Sequence, residues 1–557
     1  MEITDTHTSI AKAAAEAATG DLRDRGTLYI RRLVACLADA GSRSMLRYGN
    51  VDITANELLA SIYRYARALM TLGIGRGSFV ALFAPNCPDA IAIRYAANLI
   101  GAGTVYLSIP ATIERRTELV AQMAPDLLVI FPATAALAPV GSTIRIASVG
   151  VAVAAAAIRL DHLASEQGSD ALPCPATPDD LAVVVSSGGT TGVPKGSHRT
   201  FRAYSAMVNA PSPPGRRQLI NGRLAYLSQV LVDVTLLGGG CVVFRDAFDA
   251  ADTLETIESE RITDLFLVEP QLFDVMDHPD VYRRDLSSLR TLSHVGASAP
   301  PTLRRRAHQK LGSVIAHTYG ASEEGLVSFL SPLEHDPARP ERFSCAGRIL
   351  PSVEIRLRRP DGSLADIGEV GSIEVRSPAM AQGYRNRPEL EAANFRDGWY
   401  RPHDLGRIDE DGYLYIIGRE ADVRWIGGVP FTPTSVEETL CQMREVRVAA
   451  VVADEEADSW IAAVVPWEGA ALDARACLAG IAEAQGQEAA ALIVIITIQN
   501  IPLTEQGKPD REAIKHLARG IADAPRNTPV NTIGNWPIGE IERGGGSGVI
   551  PARRAEG

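Results

Sequence analysis

The amino-acid sequence predicts an α/β protein with a smaller α+β unit near its C-terminus. Three observations carry this. Short apolar runs alternate with helical stretches over residues 51–130, a pattern that builds parallel sheet with helical crossovers. The alternation returns over residues 263–297. After Cys345 it gives way to short strands and turns, and past Gly418-Arg419 to a compact mixture of strands and helices.

Residues 78–83 are a short continuous apolar run, which reads as a buried strand. Residues 88–100 place Ala90, Ile91, Ile93, Ala96, Ala97 and Ile100 at helical spacing. Residues 101–107 and 127–131 supply the next strands, and 264–268 and 291–295 are strands of the second α/β region. Beyond Cys345, strands are expected at 353–356, 371–376 and 412–417, with Asp361-Gly362 and Asp411-Gly412 as turn dipeptides. The last unit has strands near 446–452 and 460–465. From about residue 526 apolar periodicity is lost, and the Gly544-Gly545-Gly546-Ser547-Gly548 run marks an expected flexible tail.

At 557 residues the chain exceeds one core of about 100–200 residues. Apolar residues make up 46% and charged residues 22%, which excludes wholesale disorder and coiled coil. Lys plus Arg number 55 against 67 Asp plus Glu, a net charge of −12, so nucleic acid and anionic membrane are excluded as general partners. The seven cysteines are scattered and never spaced Cys-x-x-Cys, which argues against a disulfide framework or zinc knuckle and fits a reducing cytoplasm. The most apolar run, residues 149–158, is far shorter than the roughly 20 residues of a membrane span. Glu2 and Asp5 precede an alanine-rich stretch, so no signal peptide is expected.

The most informative segment runs Val183-Val184-Val185-Ser186-Ser187-Gly188-Gly189-Thr190-Thr191-Gly192-Val193-Pro194-Lys195-Gly196. A β-branched strand enters a loop of Ser, Gly and Thr that closes on a lysine. Glycines let successive backbone N–H groups converge on an anion, the hydroxyls add donors, and Lys195 adds a point charge. The chemistry suits a polyphosphate, although the Walker A spacing is absent.

This loop resembles the signature of the adenylate-forming superfamily, which includes acyl-CoA synthetases, peptide-synthetase adenylation domains and firefly luciferase. Gly188 stands where that family usually has Ser. Further resemblances follow in order over residues 51–515. Tyr319-Gly320-Ala321-Ser322-Glu323 is similar to Tyr-Gly-x-Thr-Glu. The resemblance implies that Tyr319 borders adenine, Ser322 contacts the α-phosphate and Glu323 holds Mg²⁺. Gly296-Ala297-Ser298 resembles the segment lining the adenine and acyl pocket, with Val295 before it. Trp399-Tyr400-Arg401-Pro402-His403-Asp404 resembles Trp-Tyr-Arg-Thr-Gly-Asp, in which Asp404 accepts the ribose hydroxyls. His403, in the place of Gly, is read as a turn residue.

Gly418-Arg419-Glu420-Ala421-Asp422 resembles the family hinge, with Arg419 reaching the ribose or a phosphate and Ala421 at the pivot. Gly427-Gly428 matches the glycine turn beyond it, and the Pro502–Lys508 segment resembles the family's C-terminal Gly-Lys motif, which implies that Lys508 is the adenylation lysine. Ser228, Gln229, Val230, Val232 and Asp233 fall where the family lines its acyl pocket, and Gln229 suggests an acid with a hydrogen-bonding group. Glycines at 238–240 and small residues at 296–299 read as room for a bulky acid. Trp460 resembles an aromatic near the coenzyme A path of some members; a Trp packing the small unit is an equal reading.

The implied architecture is a large N-terminal domain, residues 1–418, of parallel-sheet subdomains plus a small β-barrel-like subdomain. A small mobile domain, 419–525, carries Lys508, and a tail of 526–557 follows. The implied activity uses ATP, Mg²⁺ and coenzyme A. A carboxylic acid becomes an acyl-adenylate with release of pyrophosphate, and a thiol then displaces AMP. Alternatives are loading of a carrier protein in trans, a catalytically weakened nucleotide-binding member, and a luciferase-like monooxygenase. A homodimer is a common state for soluble enzymes in general.

Overall fold

In the computed structural model the described residues are 27–522, apart from 110–111, 140–143, 151–155, 157, 188–194, 210–211, 296–299 and 505. The expected tail, the N-terminal alanine-rich stretch and most of the 149–158 run lie outside them. All seven cysteines are free, and Cys241, Cys345, Cys441 and Cys477 are buried. Among the described residues no helix is long and apolar enough to cross a membrane.

Two large sheets organise the chain. The first has eight strands, in the spatial order 383–384, 195–200, 181–187, 103–106, 79–83, 127–130, 146–148 and 158–159. Its central pairs are parallel, as alternating strands and helices require. Lys195–Thr200 returns antiparallel beside Leu181–Ser187. The helix Ala55–Thr71 starts at a capping box, where Thr54 accepts from the Glu57 amide at 3.2 Å and Glu57 accepts from the Thr54 amide at 2.8 Å. Pro88–Leu99 begins with proline at its first turn and is buried on nearly every side, which explains its all-round apolar composition.

The second sheet has 15 strands. Ser44–Tyr48, Cys241–Phe244, Arg217–Ile220, Asp264–Val268, Thr291–Val295 and Ile315–Ala321 are joined in parallel. Gly325–Leu330 then turns back antiparallel and leads into Gly347–Ile349, Tyr413–Arg419, Asp404–Ile408 and Gly371–Arg376. The short-strand region expected after Cys345 is therefore hydrogen-bonded to the parallel sheet.

The C-terminal lobe follows Tyr413–Arg419. It contains the hairpin Arg424–Ile426/Val429–Phe431 and a three-stranded sheet of Val446–Asp454, Ser459–Pro466 and Ile493–Thr497, flanked by Pro433–Cys441, Ala474–Gln485 and Arg511–Ala522. One apolar cluster runs across the boundary, uniting Leu265, Leu267 and Leu272 of the second sheet region with Phe431, Val436 and Leu440 of the lobe.

Two sequence expectations are corrected by packing. Gly238 and Gly240 leave no open room: a Cβ on Gly238 would lie 2.3 Å from Ser212 Cβ, and one on Gly240 2.7 Å from the Arg216 carbonyl. These glycines permit close approach of a neighbouring segment. Trp460, read equally as near a coenzyme A path or as packing the small unit, is 1% exposed and stacks on Phe431 with centroids 4.5 Å apart and planes at 4°. Strand alternation points it into the lobe's core, so the packing reading holds.

Candidate active site

The strand Leu181–Ser187 sets Ser187 opposite Lys195, so the chain leaves and re-enters this sheet at adjacent positions. Gly188, Gly189, Thr190, Thr191 and Gly192 lie outside the described residues, as do Gly296, Ala297 and Ser298. Val295 ends its strand opposite Thr318, one residue before Tyr319. Lys195 Nζ lies 5.5 Å from the Tyr384 ring centroid.

The turn joining Ile315–Ala321 to Gly325–Leu330 carries the chemistry. Gly320 is required there: a Cβ would sit 2.1 Å from the Gly325 carbonyl. Ser322 Oγ donates to Glu323 Oε2 at 2.6 Å, and Tyr384 OH donates to Glu323 Oε1 at 2.9 Å. Ser197 Oγ donates to the Ser322 carbonyl at 2.8 Å, which ties the turn to the first sheet. Arg199 is two residues along the same strand and on the same face. It donates to the Ala379 carbonyl at 2.7 Å and to the Glu323 carbonyl at 3.1 Å, and burial lowers its pKa to about 10.

Tyr319 OH donates to Asp404 Oδ2 at 2.6 Å, and Arg419 Nε lies 3.0 Å from Asp404 Oδ1. Asp404 and Arg419 are cross-strand partners, so the sheet register itself brings them together. Burial raises the Asp404 carboxyl above its usual range, opposed by Arg419 and Tyr319. His403 adopts φ 61°, a left-handed conformation that fits a turn, and its Nε2 meets Asn394 Oδ1 at 2.9 Å.

Lys508 arrives from the C-terminal lobe on a tight turn, where the Thr504 amide donates to the Lys508 carbonyl at 2.7 Å. Burial pushes its ammonium below the usual range and Arg419 adds to that, while Glu323 and Asp404 pull it back. Lys508 thus shares the field of Arg419, Glu323 and Asp404, gathered from three distant parts of the chain.

Three participants carried no sequence signal. Arg199 and Tyr384 are known only through their contacts with Glu323. Glu324 is 0% exposed with neither carboxylate oxygen hydrogen-bonded, and burial and the adjoining Glu323 push it well above the usual carboxylate range. A second consecutive acid reads from sequence as a solvated charge.

The expected pocket residues divide. Ser228 and Val230 are buried around Gln229, itself 1% exposed with both amide atoms unpartnered. The turn Leu224–Ser228 breaks helical geometry at Tyr226 and packs on Gly103–Tyr106 and Leu181–Ser187, beside the exit to the glycine-rich loop. Val232 belongs to the core. Asp233 is not on a pocket wall. Its oxygens accept Arg94 Nη1 at 2.7 Å, Arg94 Nη2 at 2.8 Å, Tyr204 OH at 2.6 Å and Tyr95 OH, all inside the first α/β region. Gly427 and Gly428 take φ 58° and 82° in the turn of the lobe's hairpin, which presents exposed Trp425 and Val429.

Glu323 supplies hard oxygen donors, and the Glu324 carboxyl beside it is buried without a hydrogen-bond partner. That donor set fits a hard divalent cation shared with phosphates. Among the described residues no group of three or more His, Cys, Asp or Glu could hold a metal ion.

Comparison with known proteins matches the AMP-binding enzyme family over residues 35–385. A medium/long-chain-fatty-acid–CoA ligase of Mycobacterium tuberculosis is 30% identical over 527 residues, 89% of this chain and 91% of that protein. A feruloyl-CoA synthase of an Amycolatopsis species is 30% identical over 447 residues, 78% of this chain and 88% of that protein. Among solved structures, the amide bond synthetase McbA from Marinactinospora thermotolerans superposes with a TM-score of 0.78 at 30% identity, covering 88% of this chain and 99% of that one.

Proposed function

The chain belongs to the AMP-binding enzyme family, and from that premise we propose that it activates a carboxylic acid with ATP and transfers the acyl group to coenzyme A. The observation that carries this reading is the meeting of Tyr319, Asp404 and Arg419 next to the Ser322–Glu323 turn. In the first step the acid's carboxylate oxygen attacks the α-phosphorus of ATP, the bond to the β-phosphate bridging oxygen breaks, and pyrophosphate leaves. Negative charge crowds that transition state, so fixed positive groups and donors do the catalysis. Lys508, the 188–195 loop and Ser322 are placed in that role, Tyr319 at the adenine, and Asp404 and Arg419 at the ribose. Mg²⁺ held by Glu323 would neutralise phosphate oxygens. In the second step the coenzyme A thiol attacks the acyl carbonyl, loses its proton, and AMP leaves. We place the domain boundary at Arg419 and the acid beside Gln229.

A second reading is favoured by the likeness to an amide bond synthetase: an amine takes the thiol's place and the product is an amide. The packed position of Trp460 removes one feature that pointed to a thiol path. One experiment separates the readings. A panel of fatty, aryl and indole acids is incubated with ATP and Mg²⁺, and with coenzyme A or a primary amine, while pyrophosphate and products are followed by mass spectrometry. Pyrophosphate with a thioester supports the ligase, and pyrophosphate with an amide supports the second reading. No pyrophosphate with any acid overturns both.

A further inference from the structure

The helix Glu269–Asp277, which follows the strand Asp264–Val268 of the second sheet, meets the C-terminal lobe at both ends. At its start the contact is Gly507, the residue before Lys508. A Cβ there would lie 2.6 Å from Val268 Cγ2 and 3.5 Å from Gln271 Nε2, and φ is 79°, so only glycine fits without strain. At the helix's end the contact is Arg447, from the lobe's strand Val446–Asp454. Arg447 Nε donates to Asp277 Oδ2 at 3.0 Å, and Nη2 donates to Asp274 Oδ1 at 2.8 Å. Gln271, Asp274 and Asp277 recur every third residue and share one helix face, about 9 Å from first to last.

The large region prepares this seat without the lobe. Asp277 already accepts Arg306 Nη2 at 2.8 Å and Lys310 Nζ at 3.2 Å, and its side chain is 5% exposed. Two cations from its own lobe therefore neutralise it, and Arg447 is a third that only the C-terminal lobe supplies. Arg306 also reaches across the boundary, donating to the Arg447 carbonyl at 2.9 Å and placing its guanidinium 4.9 Å from the Trp467 ring centroid. A planar guanidinium spread over two carboxylates fixes orientation as well as distance.

From this geometry we infer that Arg447 is a positioning residue for adenylate formation. Its grip on Asp274 and Asp277 seats the lobe on one helix face, so that the turn behind Gly507 delivers Lys508 to Glu323 and Asp404. The inference rests on the reading of Lys508 as the adenylation lysine. It reaches further, by naming the contact that puts the lysine in place. Attack of a thiol or amine on a finished acyl-adenylate does not use Lys508, so that step does not need the grip.

The test compares full-length Arg447→Ala, Arg447→Lys and Asp274→Asn with the parent chain. Arg447→Ala lowers kcat for acid-dependent pyrophosphate release about tenfold with little change in KM for ATP, because fewer molecules hold the seated lobe. Transfer from supplied acyl-adenylate keeps its rate. Arg447→Lys recovers part of the loss, and Asp274→Asn gives a smaller one. A readout independent of turnover is the rate at which a lysine-acylating reagent labels Lys508, followed by mass spectrometry. Labelling quickens in Arg447→Ala as the lysine leaves its half-buried place. Parent-like pyrophosphate release together with parent-like Lys508 labelling overturns the inference. So does a loss of equal size in both half-reactions. If Arg447→Ala fails to fold, Asp274→Asn decides, since Asp274 is itself half exposed and a parent-like result there is also fatal. Failure of the parent itself to release pyrophosphate with any acid overturns the adenylation reading, while the labelling comparison still tests the grip.

Discussion

Arg94 with Asp233, and Glu323 with its neighbours, are both buried charged clusters, yet they are built differently. Around Asp233 both carboxylate oxygens and both terminal Arg94 nitrogens have partners, and only Arg94 Nε lacks one. Around Glu323 the Glu324 carboxylate and Arg199 Nη1 are buried without any. A buried carboxylate whose oxygens are all paired is finished by folding; one left unpaired is costly until something completes it. The contrast separates a structural charge pair from a binding site without reference to motif.

The largest expected effect tests the open cluster. Lys508→Ala lowers pyrophosphate release by about 10²–10³-fold, while transfer from supplied acyl-adenylate is retained. Half-reaction assays check this, and equal loss in both would remove Lys508 from the first step. Next, Asp233→Ala costs about 3–5 kcal/mol, because it leaves Arg94 buried and uncompensated. Glu324→Gln leaves the melting temperature as high as the parent's or higher, since it keeps the shape of a buried carboxyl that nothing pairs. Two thermal scans compare them, and equal destabilisation by the two variants would erase the distinction between the clusters.

A pH-dependent effect comes from histidines that belong to neither cluster. His294 and His335 are each pushed down to about 3, chiefly by burial and by Arg304, and His317 is held well below its usual value. His317 Nδ1 and His294 Nδ1 lie 3.3 Å apart. Their folded values lie below the unfolded value of about 6.5, so the unfolded chain takes up protons first as pH falls. Their stabilising contribution is complete above pH 6.5 and is lost toward pH 3, at up to about 1.4 kcal/mol per pH unit for each histidine. Denaturant midpoints at pH 7 and pH 5 measure the loss, and His294→Leu makes it shallower. The smallest effect is expected of Trp460→Phe, which keeps the stack on Phe431. It costs less than about 1.5 kcal/mol and leaves KM for the thiol unchanged. A raised KM would return Trp460 to a thiol path.

Much of the fold was legible because apolar runs and glycine turns are local. Strands 264–268 and 291–295 fall where the sequence put them, and Asp404 and Arg419 meet because two readable strands pair in register. What escaped depends on direction. Asp233 and Gln229 lie one helical turn apart, yet one faces the core network and the other stands unpartnered beside the loop strand. Arg199 and Glu324 escaped because a lone charged residue in a strand or turn usually faces water, and only packing reveals that these do not.

The Arg306–Trp467 contact has an optical consequence. Among the described tryptophans, Trp460 is sealed in the lobe's core, Trp425 is exposed, and Trp399 lies under Arg356 and Arg376 at 4.1 Å and 4.8 Å, contacts that stay on one side of the boundary. Trp467 alone of these wears a cation from the opposite lobe. Its emission therefore reports where that lobe sits, and a Trp467-only variant would let stopped-flow fluorescence time each seating and release during turnover without any attached dye.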